Sequence, residues 1–304
     1  MERAQAWLKR YGRPLEMALW DFHFAGGSKE NVIRYLSAFQ NEDGGFGHGL
    51  EPDFWLPKSS PMASWMAGQI LVEIKADLSD KIVERLIQYL MTCEQVLPGM
   101  WPTVLPENND YPHAPWWHWS EEAQTTWMFN PSVELAAFLV YWSPPYSREA
   151  ALGWQSLVPA VKYIMQVDGV DWHELRNFWQ CLKLLRHHEG RFTAQFGYTF
   201  SEVESRLKGL ILETVDGEPA GWAGAYKPLP LEFVKDASDP LYSELKPLVE
   251  ENLRFFLSSR DKWGIWGITW GWADYPSEFA IASRYWQGIR AVERYKTLRA
   301  FGRV

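Results

Sequence analysis

Apolar residues recur at helical spacing along most of the chain, and the alternating pattern of a half-buried strand is nearly absent. Segment 61–76 carries Pro61 in its first turn after two serines, and segment 28–40 begins with Ser28 as a candidate N-cap. We therefore predict an all-α protein. The predicted helices cover 15–26, 28–40, 61–76, 79–93, 130–142, 147–166, 171–188, 194–215, 239–259 and 277–301.

Several predicted helices end in the same way, with a polar turn that often holds an acid and then a glycine next to an aromatic residue. The four copies contain Gly45-Phe46, Gly99-Met100-Trp101, Gly221-Trp222 and Trp263-Gly264. Glycine adopts the left-handed turn that pairs the last helical carbonyls, and the aromatic residue can fold back over the helix end. Recurrent two-helix units predict a solenoid, or a solenoid closed into a ring.

The first copy, "QNEDGGFG" at 40–47, supplies specific expectations. Gln40 can hydrogen-bond the turn backbone, Asp43 can lie at the N-terminus of a neighbouring helix, and Gly45 is expected in the left-handed conformation that resists a β-branched residue. Phe46 is expected to cover the helix end. These residues are predicted to fasten neighbouring helices together.

The same stretch resembles the QW-type repeat of the terpenoid cyclase and protein prenyltransferase superfamily, and "SSRDKWGIWG" at 258–267 keeps its acid, aromatic and glycine. The resemblance implies an α/α toroid, two concentric rings of about ten to twelve helices around a central cavity, as a single domain over 1–304. It also implies a prenyltransferase- or terpenoid cyclase-like protein that binds or converts an apolar, isoprenoid-like molecule in a tryptophan-lined cavity.

The active sites of that superfamily do not carry over to this chain. There is no DxDD motif, and the acids of "VDGVDWHE" (Asp168, Asp171 and Glu174) lack its spacing. A DDxxD-like magnesium site is also missing. Neither Cys93 nor Cys181 has an acid two positions before it, as the zinc set of the prenyltransferases requires. Whether the protein is an enzyme stays open at this point, and no cofactor is indicated.

The composition of the chain limits the classes of molecule that it is expected to bind. The chain has 304 residues, a net charge of −8 and no dense Lys/Arg cluster, which argues against nucleic acid and anionic membranes as partners. No apolar run is long enough to span a membrane and the first residues do not form a signal peptide, so we expect a cytoplasmic protein. Nineteen tryptophans predict either ring contacts between helices or an aromatic-lined cavity for a small-molecule ligand.

"GHGLEPDFW" at 47–55 is the first candidate site. His48, Glu51 and Asp53 are candidate catalytic residues, because a histidine and two acids can serve as general acid and base or hold a divalent metal. Trp55 is a candidate ligand contact. The structural alternative is that the two acids cap the next helix or pair with a lysine such as Lys58.

The second candidate, 108–131, is the longest stretch without helical period, and it is too aromatic to be disordered. Asp110 and His113 are candidate catalytic residues here. We expect a lid over a cavity, with a packed plug as the alternative. Two histidines five residues apart are weak evidence for metal ligands, so no metal site is assigned. The candidate ligand contacts are Trp116, Trp117, His118 and Trp127.

The third candidate set consists of tryptophans from later repeats, which are expected to line the cavity: Trp222, Trp266 and Trp270. Glycine and tryptophan alternate over 263–272, so backbone must approach backbone or ligand closely there. Asp274 and Glu278 precede or begin the last helix, where capping explains both.

Three functions remain open. The first is the isoprenoid-like chemistry implied by the resemblance, with an acid kept protonated by burial. The second is a carbohydrate-active toroid, a lyase, hydrolase or epimerase that uses His/carboxylate acid–base chemistry. The third is a non-catalytic toroid that binds a partner protein. Convergence of His48, Asp53 and His113 within one cavity would favour an enzyme, whereas their scatter over the outer rim would favour the partner-binding protein.

Overall fold

The computed structural model describes residues 1–97, 99–224 and 226–304. Within these ranges the regular secondary structure is helical and no strand is present, which confirms the all-α prediction. The α-helices are α1 (Glu2–Tyr11), α2 (Pro14–Phe24), α3 (Lys29–Leu36), α4 (Pro61–Glu73), α5 (Lys81–Thr92), α6 (Ala123–Trp127), α7 (Ser132–Trp142), α8 (Arg148–Gln166), α9 (Trp172–Leu184), α10 (Phe192–Phe196), α11 (Phe200–Thr214), α12 (Pro230–Phe233), α13 (Tyr242–Ser258) and α14 (Pro276–Ala300).

The structure contains more helices than the sequence predicted, and most of the additional ones are short. Three of them, α6, α10 and α12, span five residues or fewer. Helix α1 lies before the first predicted segment. The predicted cap of α3 is confirmed, because Ser28 accepts from the Asn31 N–H. Pro61 begins α4, as predicted, and Ser60 before it caps the helix by accepting from the Ala63 N–H.

The chain divides into two compact units. The terminal unit comprises Met1–Ala38 and Thr214–Val304, and the central unit comprises Phe39–Glu213. The expectation of one toroidal domain over 1–304 stays a prediction.

In the terminal unit, α2 packs against α1, α3 and α14, and α12 packs against α13. Trp20 of α2 meets Tyr295 of α14 edge-on, with ring centroids 5.1 Å apart. Arg13 and Glu16 form a buried ion pair at 2.7 Å at the start of α2. The unit thus has its own aromatic core, and its buried charges at this helix end are paired.

Helix α7 forms the centre of the central unit. It contacts α4, α5, α8 and α9, and all but one of its eleven residues are buried. A helix that is apolar on every side is stable only when other elements surround it. Glu134 is therefore exceptional, because it lies in this buried helix.

Three of the four predicted repeat turns share one backbone geometry. They begin at Asn41, Val96 and Asp261, whose N–H groups donate to the carbonyl four residues later at 2.8, 2.9 and 2.8 Å. The fourth residue of each turn is a glycine with positive φ: Gly44 (91°), Gly99 (80°) and Gly264 (79°). The sixth is a buried aromatic residue: Phe46, Trp101 and Trp266. The internal repeat is confirmed at these three places.

In two of these turns the aromatic residue folds back on the preceding helix, as predicted. The Nε1–H of Trp101 donates to the Leu90 carbonyl near the end of α5 at 3.1 Å. The Nε1–H of Trp266 donates to the Phe256 carbonyl near the end of α13 at 2.9 Å. Each indole satisfies a carbonyl that the helix itself leaves unpaired.

The first turn corrects two expectations. Gln40 donates to the Gly44 carbonyl at 2.9 Å, as expected. Asp43, however, accepts from the Gly45 N–H at 3.0 Å and the Ser59 hydroxyl at 2.7 Å, so it closes its own turn. The left-handed residue is Gly44, whereas Gly45 is required by close packing, since a Cβ there would lie 2.6 Å from the Cβ of Ser59.

The fourth expected copy has a different structure. Gly221 ends a short 3-10 helix, Pro219–Gly221, and does not have a positive φ. Trp222 is buried, and its Nε1–H points to the carboxylate of Asp216 at 3.3 Å. Here an acidic side chain accepts the indole hydrogen bond, so the turn does not need the geometry of the other three.

Candidate functional site

The first two candidate segments lie side by side in the central unit. The Ala114 N–H donates to the Asp53 carbonyl at 2.7 Å, and Phe54 and His113 pair as an isolated antiparallel bridge. Residues about 60 positions apart are thereby brought into register. Asp53 and His113 are thus close in the backbone, but His48, the third residue expected to converge with them in one cavity, is exposed and contacts Asn41. The enzyme stays a prediction.

A continuous set of rings extends from this contact. Trp117 meets Phe54 edge-on at 5.7 Å between ring centroids and stacks on Trp127 at 5.6 Å and 30°. Trp127 in turn meets His173 edge-on at 6.2 Å. We call this set, with the histidine pair described next, the ring cluster: Phe54, His113, Trp117, His118, Trp127 and His173.

Two histidines of the ring cluster are hydrogen-bonded to each other. The Nδ1 of His113 lies 2.6 Å from the Tyr111 carbonyl oxygen, and its Nε2 lies 3.0 Å from Nδ1 of His118. Their rings stack with centroids 5.3 Å apart. His113 is buried, whereas His118 is exposed, and its Nε2 is 3.4 Å from Nδ2 of Asn109. The pair therefore joins the interior of the unit to its surface.

Two buried carboxylates adjoin the ring cluster in sequence. Glu51 and Asp53 are 5% and 3% exposed, and the Glu51 carboxylate accepts from the Asp53 N–H at 2.8 Å. The lysine and the cap position considered for them are used by other residues. Lys58 pairs with Glu107 at 2.5 Å, and Ser60 caps α4.

The start of α9 supplies two titratable groups at the other edge of the ring cluster. Asp171 is the N-cap, and its carboxylate accepts from the His173 N–H and faces Nδ1 of the same histidine, each at 2.9 Å. Burial opposes ionisation of Asp171, but the hydrogen bond and charge of His173 and two backbone N–H groups hold its pKa below the ordinary value. His173 is thus oriented by a carboxylate, as a catalytic imidazole often is.

Glu174 follows directly and has the opposite electrostatic character. It is 3% exposed and accepts from the Phe129 N–H at 2.7 Å. Burial raises the pKa of Glu174 to about 7, and the charge of Asp171 acts in the same direction, against the hydrogen bonds from Phe129 and Tyr163. A carboxyl group with this pKa is protonated or ionised with similar ease near neutral pH, which suits a general acid.

Glu134 of α7 is a second buried carboxyl group of this kind. It is 3% exposed and accepts from Nε1 of Trp65 at 2.6 Å and from the amide of Gln69 at 3.1 Å. Burial raises its pKa to about 7, although these two donors and the charge of Arg176 lower it. Helices α4 and α7 thus share a buried polar contact.

The sequence carried signals for these residues that our prediction did not use. "DWHE" at 171–174 was considered only for the spacing of its acids, although it places an acid, an aromatic residue, a histidine and a second acid at a helix start. Glu134 is the single charge in the apolar run "SVELAAFLV" at 132–140. A charge in a helix that is apolar all round must be buried, and buried charges often mark sites.

Some predicted site residues lie outside the ring cluster. His48 is exposed with a φ of 56°, and its Nε2 lies 2.8 Å from Oδ1 of Asn41, so its ring is held at the first repeat turn. Asp110 is exposed at the end of a short 3-10 helix. Trp55 and Trp116 are half-buried, and the indole N–H of Trp55 donates to the Pro52 carbonyl at 3.1 Å.

The remaining three predicted ligand contacts belong to the terminal unit. Trp222 and Trp266 are 2% exposed, and both indole N–H groups are hydrogen-bonded within that unit. Trp270 is half-buried and contacts the rings of Tyr226 and Trp286 at 4.9 and 5.5 Å. Their role as ligand contacts stays a prediction.

Comparisons with known proteins identify no relative of the chain. No family model matches it, and neither a curated protein nor a solved structure does. Among the residues that the structure describes, no three His, Cys, Asp or Glu side chains are grouped so that they would hold a metal ion. None of the described helices has both the length and the apolar character needed to cross a bilayer.

Proposed function

We propose that the protein binds a small molecule against the ring cluster and transfers protons on it, as an acid–base enzyme. The observation that supports this function is the position of Trp117 and Trp127 between two sets of titratable groups. At one end Trp117 meets Phe54, whose backbone pairs with that of His113, the partner of His118. At the other end Trp127 meets His173 with its carboxylate partner. Acid and base groups on two sides of an aromatic surface are what such a reaction requires.

Each group has a distinct role in this proposal. The half-buried Trp127 presents its ring to a flat face of the ligand. His118 and His173 exchange protons with polar groups of the ligand, since imidazole is the side chain best suited to do so near neutral pH. Glu174 supplies a proton, because burial raises its pKa to about 7.

A ligand that carries hydroxyl groups on a flat C–H skeleton, as a sugar does, fits this surface best. The exposed His118 and the half-exposed Asp171 and His173 lie around the tryptophan rings. A hydrocarbon would remove these polar groups from water without pairing them, which is unfavourable, whereas hydroxyl groups would hydrogen-bond them. The proposed activity is therefore acid–base conversion of a carbohydrate-like molecule.

An isoprenoid-like ligand is the second candidate. The three equivalent repeat turns support it, because their motif resembles that of the terpenoid cyclase and prenyltransferase superfamily. Glu174 supports it as well, since protonation of an alkene needs a carboxyl group that burial keeps in its acid form. Under this candidate the fold is the α/α toroid. A solution scattering profile tests the toroid, because a ring with a hollow centre differs from a filled globule of equal mass.

The proposed function is tested by ligand binding at His118. Saturation-transfer NMR is recorded with a panel of methyl glycosides and short oligosaccharides and, separately, with a prenyl alcohol. We expect signal transfer from at least one sugar, and loss of at least tenfold in affinity in His118→Ala. The matched control is His187→Ala, an exposed histidine of the same unit, which should bind as the wild type does.

The outcomes separate the candidates. Binding of the prenyl alcohol alone would overturn the carbohydrate proposal and leave the second candidate. Equal binding by His118→Ala and wild-type protein would show that the ring cluster is not the site. Native mass spectrometry of protein purified from cells gives an independent check, because a retained ligand should be absent from His118→Ala.

A further inference from the structure

The groups around the histidine pair determine which ring donates the hydrogen bond between them and which ring accepts it. The Tyr111 carbonyl is only an acceptor, so the Nδ1 of His113, 2.6 Å away, must carry a proton. In the neutral ring the Nε2 of His113 then has a lone pair. Nδ1 of His118 lies 3.0 Å from this lone pair and must therefore donate to it. In neutral form, both rings are Nδ1–H tautomers.

The far end of the pair supports the same assignment independently. The Trp119 N–H donates to Oδ1 of Asn109 at 2.8 Å, which fixes the orientation of that amide. Nδ2 of Asn109 is consequently the atom that faces Nε2 of His118, at 3.4 Å, and it is a donor. Nε2 of His118 must then be unprotonated. The shorter contact of this amide nitrogen is to the Trp119 carbonyl, at 3.1 Å, so it covers the imidazole nitrogen only loosely.

We infer that His113 is a positioning residue that holds His118 as its Nδ1–H tautomer, so that the exposed Nε2 of His118 is the proton acceptor for the ligand. This inference rests on the proposed function and assigns the order of the two histidines within it. A ligand O–H or C–H proton moves to Nε2 of His118, and its bonding electron pair stays on the ligand. The resulting imidazolium keeps its Nδ1–H bond to His113, so the contact behind the base does not rearrange.

Burial explains why the two histidines have different roles. His113 is 6% exposed and stacks under His118, which is exposed. A ligand on the surface therefore reaches His118 first. The hydrogen bond from His113 to a backbone carbonyl also fixes the His113 ring, because the carbonyl cannot rotate away as a side chain can. A buried second residue that orients the reacting imidazole is a common arrangement.

The test is long-range ¹H–¹⁵N NMR of the free protein with ¹⁵N-labelled histidine, at about pH 8, where histidine of ordinary pKa is neutral. We expect His118 and His113 each as a single Nδ1–H tautomer. In His113→Leu, the acceptor behind His118 is lost, and we expect a mixture of both His118 tautomers. In His113→Gln, the amide oxygen can accept in place of Nε2, and we expect the single tautomer to return.

An Nε2–H tautomer of His118 in the wild-type spectrum would overturn the inference. An unchanged His118 spectrum in folded His113→Leu would do the same. If that buried substitution prevents folding, the wild-type spectrum decides, because His118 must show the Nδ1–H tautomer there. All spectra are recorded without ligand, so the tautomer result is separate from the ligand-binding test: a correct tautomer with unchanged sugar binding in His118→Ala would refute the proposed function alone.

Discussion

The first repeat turn and the ring cluster belong to the same unit, yet their side chains are used in opposite ways. In the turn, Gln40 and Asp43 are hydrogen-bonded to the loop itself, and Phe46 is fully buried. In the ring cluster, His118 is exposed and the buried indole N–H of Trp117 has no acceptor among the described residues. One region satisfies its polar groups within the protein, and the other does so only in part.

This difference separates residues that hold the fold from residues that carry chemistry. A side chain whose partners are all in the protein is destabilising to remove, since it leaves those partners buried and unpaired. An exposed side chain with a single close hydrogen bond into the protein is removed with a smaller effect on stability. Stability and ligand binding should therefore respond to different substitutions in the two regions.

The largest stability loss is expected for Gly44→Ala in the repeat turn. Gly44 has a φ of 91°, and a Cβ there would lie 2.1 Å from the Arg85 carbonyl oxygen. Left-handed strain and overpacking together predict a loss of about 2–5 kcal/mol in the free energy of unfolding. Urea denaturation measures it. Gly209→Ala is the control, because the space around Gly209 in α11 is open and alanine should stabilise that helix by up to about 1 kcal/mol. Equal stability of both variants would remove the structural role of the turn.

Glu174→Gln should change how stability depends on pH. Burial raises the pKa of Glu174 from 4.5 to about 7, so between these values the folded state binds more protons than the unfolded state. The stabilisation by the protonated Glu174 is complete below pH 4.5 and is lost as the pH rises to about 7. The free energy of unfolding falls by about 3 kcal/mol over this interval. Glutamine keeps an acceptor for the Phe129 N–H and does not ionise, so the variant should be more stable than wild type at pH 8.

Urea denaturation at pH 5 and pH 8 checks this prediction. Glu134 has a similarly raised pKa, so part of the pH dependence should remain in Glu174→Gln. Glu189→Gln is the control, because Glu189 is an exposed glutamate of the same unit and its substitution should leave the pH dependence as in wild type. A wild-type pH dependence in Glu174→Gln would contradict the assignment of Glu174 as a buried acid.

Trp101→Phe and Trp266→Phe should have similar, smaller effects. Each substitution removes the indole N–H that pairs a carbonyl at a helix end, at 3.1 Å in α5 and 2.9 Å in α13. A lost hydrogen bond to a buried carbonyl predicts about 1–3 kcal/mol per variant, read from thermal or urea unfolding. Trp263→Phe is the control, because Trp263 is exposed in the same turn as Trp266. A large loss in only one of the pair would show that the repeat turns are not equivalent.

The smallest effect on stability is expected for His118→Ala, which removes the proposed proton acceptor. Loss of the hydrogen bond to the buried Nε2 of His113 predicts a decrease of about 1 kcal/mol in the free energy of unfolding, while sugar binding should be lost. Calorimetry on the samples used for the ligand panel checks both. A loss of stability as large as that of Gly44→Ala would mean that the ring cluster is a packed plug, the alternative we considered for this loop.

The sequence predicted local features better than contacts. Helical periodicity indicated the longer helices from α2 onward, and the recurrence of glycine beside an aromatic residue located three equivalent turns. The sequence did not distinguish the roles of Gly44 and Gly45. Two adjacent glycines give no sign of which one has the left-handed conformation and which one is required by close packing. The pairing of Phe54 with His113 joins two irregular segments, and irregular backbone has no periodicity from which a partner can be derived.

The candidate site was predicted in part for the same reason. One aromatic segment contains four of the residues in the ring cluster, so the sequence of that segment was enough to predict them: His113, Trp117, His118 and Trp127. The Asp171–His173 contact is local, at the start of α9. The burial of Glu174 and its bond from the Phe129 N–H depend on packing between the loop and α9, which follows only from the folded chain. His48 and Asp110 had suitable chemistry, but their exposure could not be derived from residue type.

The indole-to-carbonyl hydrogen bonds offer another explanation for the abundance of tryptophan. Besides Trp101 and Trp266, Trp142 donates to the Ala76 carbonyl at 2.9 Å. An indole N–H that caps a helix allows the helix to end in the protein interior, where no solvent water hydrogen-bonds the last carbonyl groups. These tryptophans have an architectural role, so aromatic content alone is a poor guide to binding capacity in proteins built this way.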